Sequence, residues 1–344
     1  MNLYVHFPFC RSKCAYCALH SYVGRTENDR RAYVDDLAAR IEAFLDSSRD
    51  RELSTLYFGG GTPAMCDLAG LLEIFGKQKK SDGFEFTVEL NPLDVTPGRL
   101  SKLKSGGVTR LSMGVQSFDD ATLRTMGRPH TDSQARNAWS MIRDAGFDNA
   151  GFDLICGWPS GSDAWNRTLE SAVALDPDHC SVYTLILEPD TRLARDIGRG
   201  RVKLPPDDVA LAELAAAECA LGDIGLERYE ISSFAKPGKE CRHNLATWRG
   251  EDYIGIGDGA CSREGNAVSR VIFRLRLLKE GFSPSKAAAD FPELAARVCE
   301  WTDILDRFAA EGLLSSTLSP DSTRTYRLTS RGAEVCDTIL AELV

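Results

Sequence analysis

The chain has no run approaching the roughly 18 consecutive apolar residues that a membrane span requires. It has no excess of positive charge. Lys and Arg number 41 against 50 Asp and Glu, a net charge of −9, whereas a general nucleic-acid binder carries a basic stripe. The first residues, Met1-Asn2-Leu3-Tyr4, lack a basic stretch followed by an apolar one, so no signal peptide is expected. There is no internal repeat and no low-complexity stretch. The Gly-x-Gly-x-x-Gly spacing and the lysine of a phosphate-binding loop are missing, which disfavours nucleotide-phosphate binding. The 11 cysteines are odd in number and scattered, which argues against a disulfide framework. Cys66, Cys156, Cys180, Cys219, Cys241, Cys261, Cys299 and Cys336 sit mostly among apolar neighbours. They are expected to be buried thiols in a reducing, cytoplasmic compartment.

What is present begins at Cys10, Cys14 and Cys17, a Cys-x3-Cys-x2-Cys cluster within Tyr4-Val5-His6-Phe7-Pro8-Phe9-Cys10-Arg11-Ser12-Lys13-Cys14-Ala15-Tyr16-Cys17. Three close thiolates suit iron–sulfur or zinc. Structural zinc takes four ligands, commonly from paired Cys-x2-Cys units, and His20 could act as a fourth. Three cysteines leave one iron of a [4Fe-4S] cube open to a small molecule. This arrangement and spacing resemble those of the radical S-adenosylmethionine (SAM) proteins.

At 344 residues, 43% of them hydrophobic, the chain can bury a full core in one large or two ordinary domains. Apolar runs alternate with helical periods up to about residue 225. Strands are expected at Leu3–Phe9, Thr55–Phe58, Glu85–Leu90, Arg110–Gly114, Gly151–Ile155 and Ser181–Leu187. Helices are expected at Asp29–Leu45, Asp67–Lys79, Pro97–Ser105, Asp132–Ala145, Asp163–Ala174 and Asp207–Leu221. This predicts an α/β fold, a partial (β/α)6 barrel over residues 1–230, with an open doubly wound sheet as the alternative. The remainder, 231–344, reads as a C-terminal domain. Residues 231–260 look like an ordered linking loop, and 294–344 show a winged-helix-like α+β layout of helices, hairpin and helix. Residues 294–344 carry five Arg against eight Asp and Glu, so packing is expected there rather than DNA binding.

In parallel α/β folds ligands sit at the carboxyl ends of strands. Here those ends carry the cysteine cluster, Gly59-Gly60-Gly61-Thr62-Pro63, Glu89-Leu90-Asn91-Pro92, Gly114-Val115-Gln116-Ser117 and Asp153-Leu154-Ile155-Cys156-Gly157. Glycines let a backbone approach a ligand and offer its N–H groups, although a tight turn would need them equally. Glu89, Gln116, Arg128 and Asp153 supply partners for the ammonium and carboxylate of SAM. Taken singly, each could instead be a turn or capping residue. His243 is a candidate haem ligand or a buried structural histidine, and Lys236, Lys239, Arg242 and Arg249 flank it.

Together with Arg110-Leu111-Ser112-Met113-Gly114-Val115-Gln116-Ser117, Gly127-Arg128-Pro129-His130, Tyr229-Glu230-Ile231-Ser232 and His243-Asn244-Leu245-Ala246-Thr247-Trp248, these motifs run over essentially the whole chain. The chain resembles the oxygen-independent coproporphyrinogen oxidase family, nearest to its HemW-type haem chaperones. The resemblance implies a [4Fe-4S] cluster on Cys10, Cys14 and Cys17. It implies SAM contacts from Tyr4, Gly60 and Glu89. Tyr16, Gly61, Thr62, Gln116, Arg128 and Asp153 match positions that hold a second SAM in the oxidases. The oxidases carry a further cysteine where Leu19 stands, and an N-terminal cover for which Tyr4, already on the first strand, leaves no room. Both departures point to a chaperone that carries haem as cargo to haem proteins, including peripheral contact with membrane haem proteins. The alternative is a radical enzyme acting on a porphyrinogen or another small substrate. Thr247 replaces the Tyr of the family's His-Asn-x-x-Tyr-Trp segment, and the stretch after Ala260-Cys261-Ser262 is short.

Overall fold

The apolar runs form six strands, β1 (Asn2–Phe7), β2 (Leu53–Gly60), β3 (Lys80–Leu90), β4 (Arg110–Gln116), β5 (Ala150–Cys156) and β6 (His179–Thr184). Each pairs in parallel with the next. The computed structural model describes residues 1–263 and 267–344. The connections carry α1 (Glu27–Ser47), α2 (Ala69–Gly76), α3 (Pro97–Ser105), α4 (Asp120–Met126), α5 (Asp132–Asp144) and α6 (Ser162–Ala174). After β6 come α7 (Arg192–Gly198) and α8 (Asp207–Gly222). Local chemistry sets the helix starts. Thr26 and Thr131 form capping boxes with Asp29 and Gln134, and Thr96 caps α3 ahead of Pro97.

The sheet has two unlike faces. On one, Leu3, Val5, Phe7, Leu56, Phe58, Phe86, Val88, Leu111, Met113, Phe152, Leu154 and Val182 are buried in one core. That core includes Leu37, Ile41, Phe75, Leu103, Trp139, Ile142, Leu169 and Leu221 of the helices. The alternate residues point the other way. They are Asn2, Tyr4 and His6, Thr55 and Tyr57, Glu85, Thr87 and Glu89, Arg110 and Ser112, Asp153, His179 and Ser181, with Gly59, Gly114 and Gly151 between them. A doubly wound sheet is covered by helices on both faces, so its strands are apolar throughout. Its strand order also reverses at a switch point. Here the helices share one face and the strands lie in sequence order. The fold is therefore an open partial barrel, and its inner face is polar.

Residues 231–260 are not a loop. They contain α9 (Arg242–Arg249) and a strand, Tyr253–Ile256, that pairs in parallel with Asn2–Val5 on the free edge of β1. The sheet order also places Ser233–Ala235 beyond β6. The chain accordingly divides into two interleaved units. Unit 1 is Met1–Glu227, Phe234–Lys239 and Tyr253–Ser262, and unit 2 is Arg228–Ser233, Glu240–Asp252 and Arg263–Val344.

Unit 2 has its own core of Val271, Leu275, Phe282, Trp301, Leu305, Tyr326 and Ile339. Trp301 is fully buried. Its indole N–H donates to the carbonyl of Leu343 at 2.9 Å, and its ring packs against Phe282 at 5.6 Å. Helix Val298–Ala310, the hairpin Leu314–Leu318 with Arg324–Leu328, and two terminal helices follow in that order. The last helix, expected as one element, breaks at Val335 into Ser330–Glu334 and Cys336–Leu343.

Candidate functional site

The segment leaving β1 carries the three cysteines. All three are free thiols and partly buried. Backbone contacts hold the segment: Ala15 N–H donates to the carbonyl of Met126 at 2.8 Å, and Tyr22 N–H to that of Pro8 at 2.5 Å. Lys13 Nζ donates to the carbonyl of Leu19 and to Ser21 Oγ. Burial pushes the Cys10 and Cys17 thiols up from their ordinary value. His20 is turned to other work. Its ring lies 3.1 Å from the Tyr22 hydroxyl, and its carbonyl accepts from His6 Nε2 at 3.0 Å. Among the described residues, no three His, Cys, Asp or Glu side chains converge to hold a single metal ion. Thiolates spread along one loop suit a cluster, in which each binds a different iron.

The strand ends beside this loop hold the remaining candidates of unit 1 in two groups. Glu89 centres the first. Its Oε1 accepts the Tyr57 hydroxyl at 2.8 Å and its Oε2 the Gly60 N–H at 3.0 Å. Burial, reinforced by the charge of Asp153, pushes Glu89 up to about 7, against the pull of those two hydrogen bonds and of Arg110. Tyr4 stacks at 5.9 Å on Tyr57 and donates to His6 Nδ1 at 3.0 Å, since His6 Nε2 must carry its proton to meet the His20 carbonyl. Burial, then Glu89, raises the Tyr4 hydroxyl, which stays neutral. Gly60 has φ +106, and a Cβ there would sit 2.4 Å from the His6 ring. Glycine is thus required by the packing of β1 on β2. The N–H groups expected to be on offer at this turn are taken, Gly60 by Glu89 and Gly61 by the carbonyl of Phe7 at 2.8 Å.

Arg128 centres the second group. It donates to Asn91 Oδ1, to the carbonyl of Gly114, and at 3.4 Å to Cys14 Sγ. Asn91 in turn donates to Thr62 Oγ1 at 2.6 Å. Gln116 has φ 75 at an irregularity in the β4–β5 pairing, a costly conformation for a residue other than glycine. A Cβ on Gly114 would lie 3.2 Å from Gln116 Nε2 and 3.4 Å from Arg128 Nη2, so the missing side chain lets both approach. Tyr16 packs edge-on to Trp158 at 6.0 Å, and burial raises its hydroxyl. Asp153 accepts from Ser112 Oγ at 3.3 Å, and burial raises its carboxyl against the pull of Ser181 and Arg110. Tyr57, Asn91, Ser112 and Arg110 were not singled out from the sequence. Strand alternation could have flagged Tyr57, Arg110 and Ser112, because each shares the face of a named candidate.

His243 lies in unit 2, on α9, and is buried. Cations expected to serve haem propionates are engaged elsewhere. Lys236 pairs with Asp176 at 2.6 Å, Lys239 donates to the carbonyl of Asp148, and Arg249 forks onto Glu280. Trp248 is stacked under the Arg276 guanidinium, 4.5 Å from the ring centre.

Residues 4–172 match the model of the Radical SAM superfamily, a span that includes the three cysteines and every SAM candidate named above. The chain is 34% identical over 275 residues to the heme chaperone HemW of Haemophilus influenzae, covering 76% of this chain and 69% of that protein. It is 30% identical over 375 residues to the heme chaperone HemW of Mycobacterium tuberculosis, covering 100% of this chain and 94% of that protein. The chain belongs to the HemW family of radical SAM proteins. Among solved structures, coproporphyrinogen III oxidase (HemN) from Escherichia coli superposes with a TM-score of 0.82 at 22% identity, over 99% of this chain and 89% of that one. That likeness establishes the shared fold. Among the described residues no helix is long and apolar enough to cross a membrane.

Proposed function

We propose that the protein is a haem chaperone that carries a [4Fe-4S] cluster on Cys10, Cys14 and Cys17, binds SAM beside it, and delivers haem to haem proteins in the cytoplasm. The observation that carries this reading is the group of three free thiols on the loop after β1, flanked by the Glu89 and Arg128 groups. When bound, the cluster would supply an electron and an open iron site. Glu89, pushed up to about 7, is half ionised at neutral pH and a carboxylate above it, and in that form offers its remaining lone pairs to an ammonium group. Tyr4 and the Gly60 turn form the wall beside it. Arg128, Thr62, Gln116, Tyr16, Gly61 and Asp153 form a second wall that suits a carboxylate and ribose hydroxyls, and we assign them to SAM binding as well.

For haem we propose the Cys241–Trp248 segment, with His243 as the axial ligand. Because His243 is buried in the helix, ligation requires the segment to uncover it. Names of relatives as heme chaperones support the haem reading. The test is anaerobic reconstitution followed by iron, sulfide, SAM and haem titration. One cluster and one haem per chain are expected. Absence of haem binding at micromolar protein would remove the chaperone reading, and conversion of coproporphyrinogen to protoporphyrinogen would replace it with the oxidase.

A further inference from the structure

The inner face of the sheet carries a cation to which no ligand contact has been assigned. Arg110 opens β4 and is 2% exposed, among the largest fully buried side chains of the molecule. It stands in register with Thr87 of β3. Two residues further along, Ser112 stands opposite Glu89, and two further again Gly114 stands opposite Asp153. Since residues i, i+2 and i+4 of a strand share a face, Arg110 lies one step deeper than Glu89 and two steps deeper than Asp153 on the same wall. A guanidinium brought out of water costs several kcal/mol unless it is compensated. Burial there is tolerable only beside negative charge, and Glu89 and Asp153 are the carboxylates above it.

We propose that Arg110 is a positioning residue of the SAM site, a buried charge that supports the carboxylates of Glu89 and Asp153 from beneath. This rests on the reading that those carboxylates meet the ligand. Without a cation below, two carboxylates close together in a buried wall repel one another, and one takes a proton. Arg110 opposes that protonation at both sites, as the direction of its effect on each shows. The other groups facing the pair do not substitute for it. Tyr4 is held neutral, and Tyr57 only donates a hydrogen bond. Cys180 and His179 are driven neutral by burial. Arg128 also acts on Asp153, but its guanidinium is engaged by Asn91, Gly114 and Cys14. Glu85, deeper on β3, is a further carboxylate and adds to the need for a cation.

The test is the pH dependence of SAM affinity, measured by calorimetry on the anaerobically reconstituted full chain from pH 5.5 to 8. In the wild type, affinity is expected to fall as pH drops through about 7, where Glu89 protonates. In Arg110→Met the midpoint is expected to move up by about one unit, so that affinity at pH 7 falls roughly fivefold. Arg110→Lys is expected to restore the wild-type profile. If Arg110→Met does not fold, Arg110→Gln keeps a polar side chain that can still hydrogen-bond but carries no charge, and it should fold and still show the raised midpoint, because the Asp153 charge remains beside Glu89. A wild-type midpoint in either variant, or a loss equal at every pH, overturns the inference and leaves Arg110 a structural residue. No SAM binding by the wild type at any pH overturns the underlying assignment of Glu89 and Asp153 together with it.

Discussion

The inner face of unit 1 and the α9 segment of unit 2 both carry conspicuous motif residues, but they are built differently. On the inner face, Glu89 holds Tyr57 and the Gly60 turn, while Arg128, Asn91 and Thr62 hold one another at the strand ends and Arg128 reaches Cys14. Regular strands set their spacing, so the groups are oriented before any ligand arrives. On α9, His243 is buried, Trp248 lies beneath Arg276, and Arg249 is neutralised by Glu280. The first region is preorganised. The second has His243 buried and Arg249 paired, so any binding there begins with a rearrangement. Motif residues therefore mark a site in one case and a latent segment in the other.

The sharpest way to break this contrast is at the cysteines. Ala in place of Cys10, Cys14 or Cys17 should abolish iron and sulfide incorporation, whereas Cys241→Ala on the edge of α9 should leave the cluster intact. Stoichiometric zinc retained in air, with no iron after reconstitution, would contradict the assignment. Next in size is Trp301→Ala. It empties the centre of the unit 2 core and loses the bond to Leu343, at a cost of about 3–5 kcal/mol in denaturant unfolding. Cluster content in the folded fraction should not change, and its loss would show that the two regions are not separable.

Glu89→Ala is expected to weaken SAM binding by about 1.5–3 kcal/mol, the range for a charge-assisted hydrogen bond. The wild type should also lose affinity as pH falls through about 7, because the protonated carboxyl no longer attracts an ammonium. That limb should vanish in the variant, and calorimetry reads both. The smallest effect is predicted for Arg249→Ala. Its exposed pair with Glu280 is worth at most about 1 kcal/mol, and its charge is not free for propionates. Haem affinity should barely change by absorption titration, whereas His243→Ala should shift the haem band. A large loss at Arg249 would mean that α9 is a preformed site after all.

Much of unit 1 was legible in the sequence because its signals are local. Helix α3 was expected at Pro97–Ser105 and is found there, since Thr96, Pro97 and Gly106 mark both ends. The six strands were placed to within a few residues, apart from the start of β3 at Lys80, because apolar and polar positions alternate along them. Helix α4 escaped notice. It is seven residues long, too short for a period, although Asp119 caps it and Gly127 at φ 75 closes it. Residues 231–260 were misread because their structure is tertiary. Tyr253–Ile256 pairs with β1 across some 250 residues of chain, a partner no local pattern reveals. The candidate ligands were named from motifs, but their wiring was not. That Arg128 spends its guanidinium on Asn91, Gly114 and Cys14 follows only from where the strands end.

The central claim is that the polar strand ends of unit 1 present SAM to the cluster. Electron paramagnetic resonance of the dithionite-reduced, anaerobically reconstituted protein tests it most directly. With SAM added, the spectrum of the wild-type cluster should change, because three cysteines leave one iron open, and in Glu89→Ala the change should require a higher SAM concentration. A spectrum that SAM leaves untouched at any concentration would contradict the account.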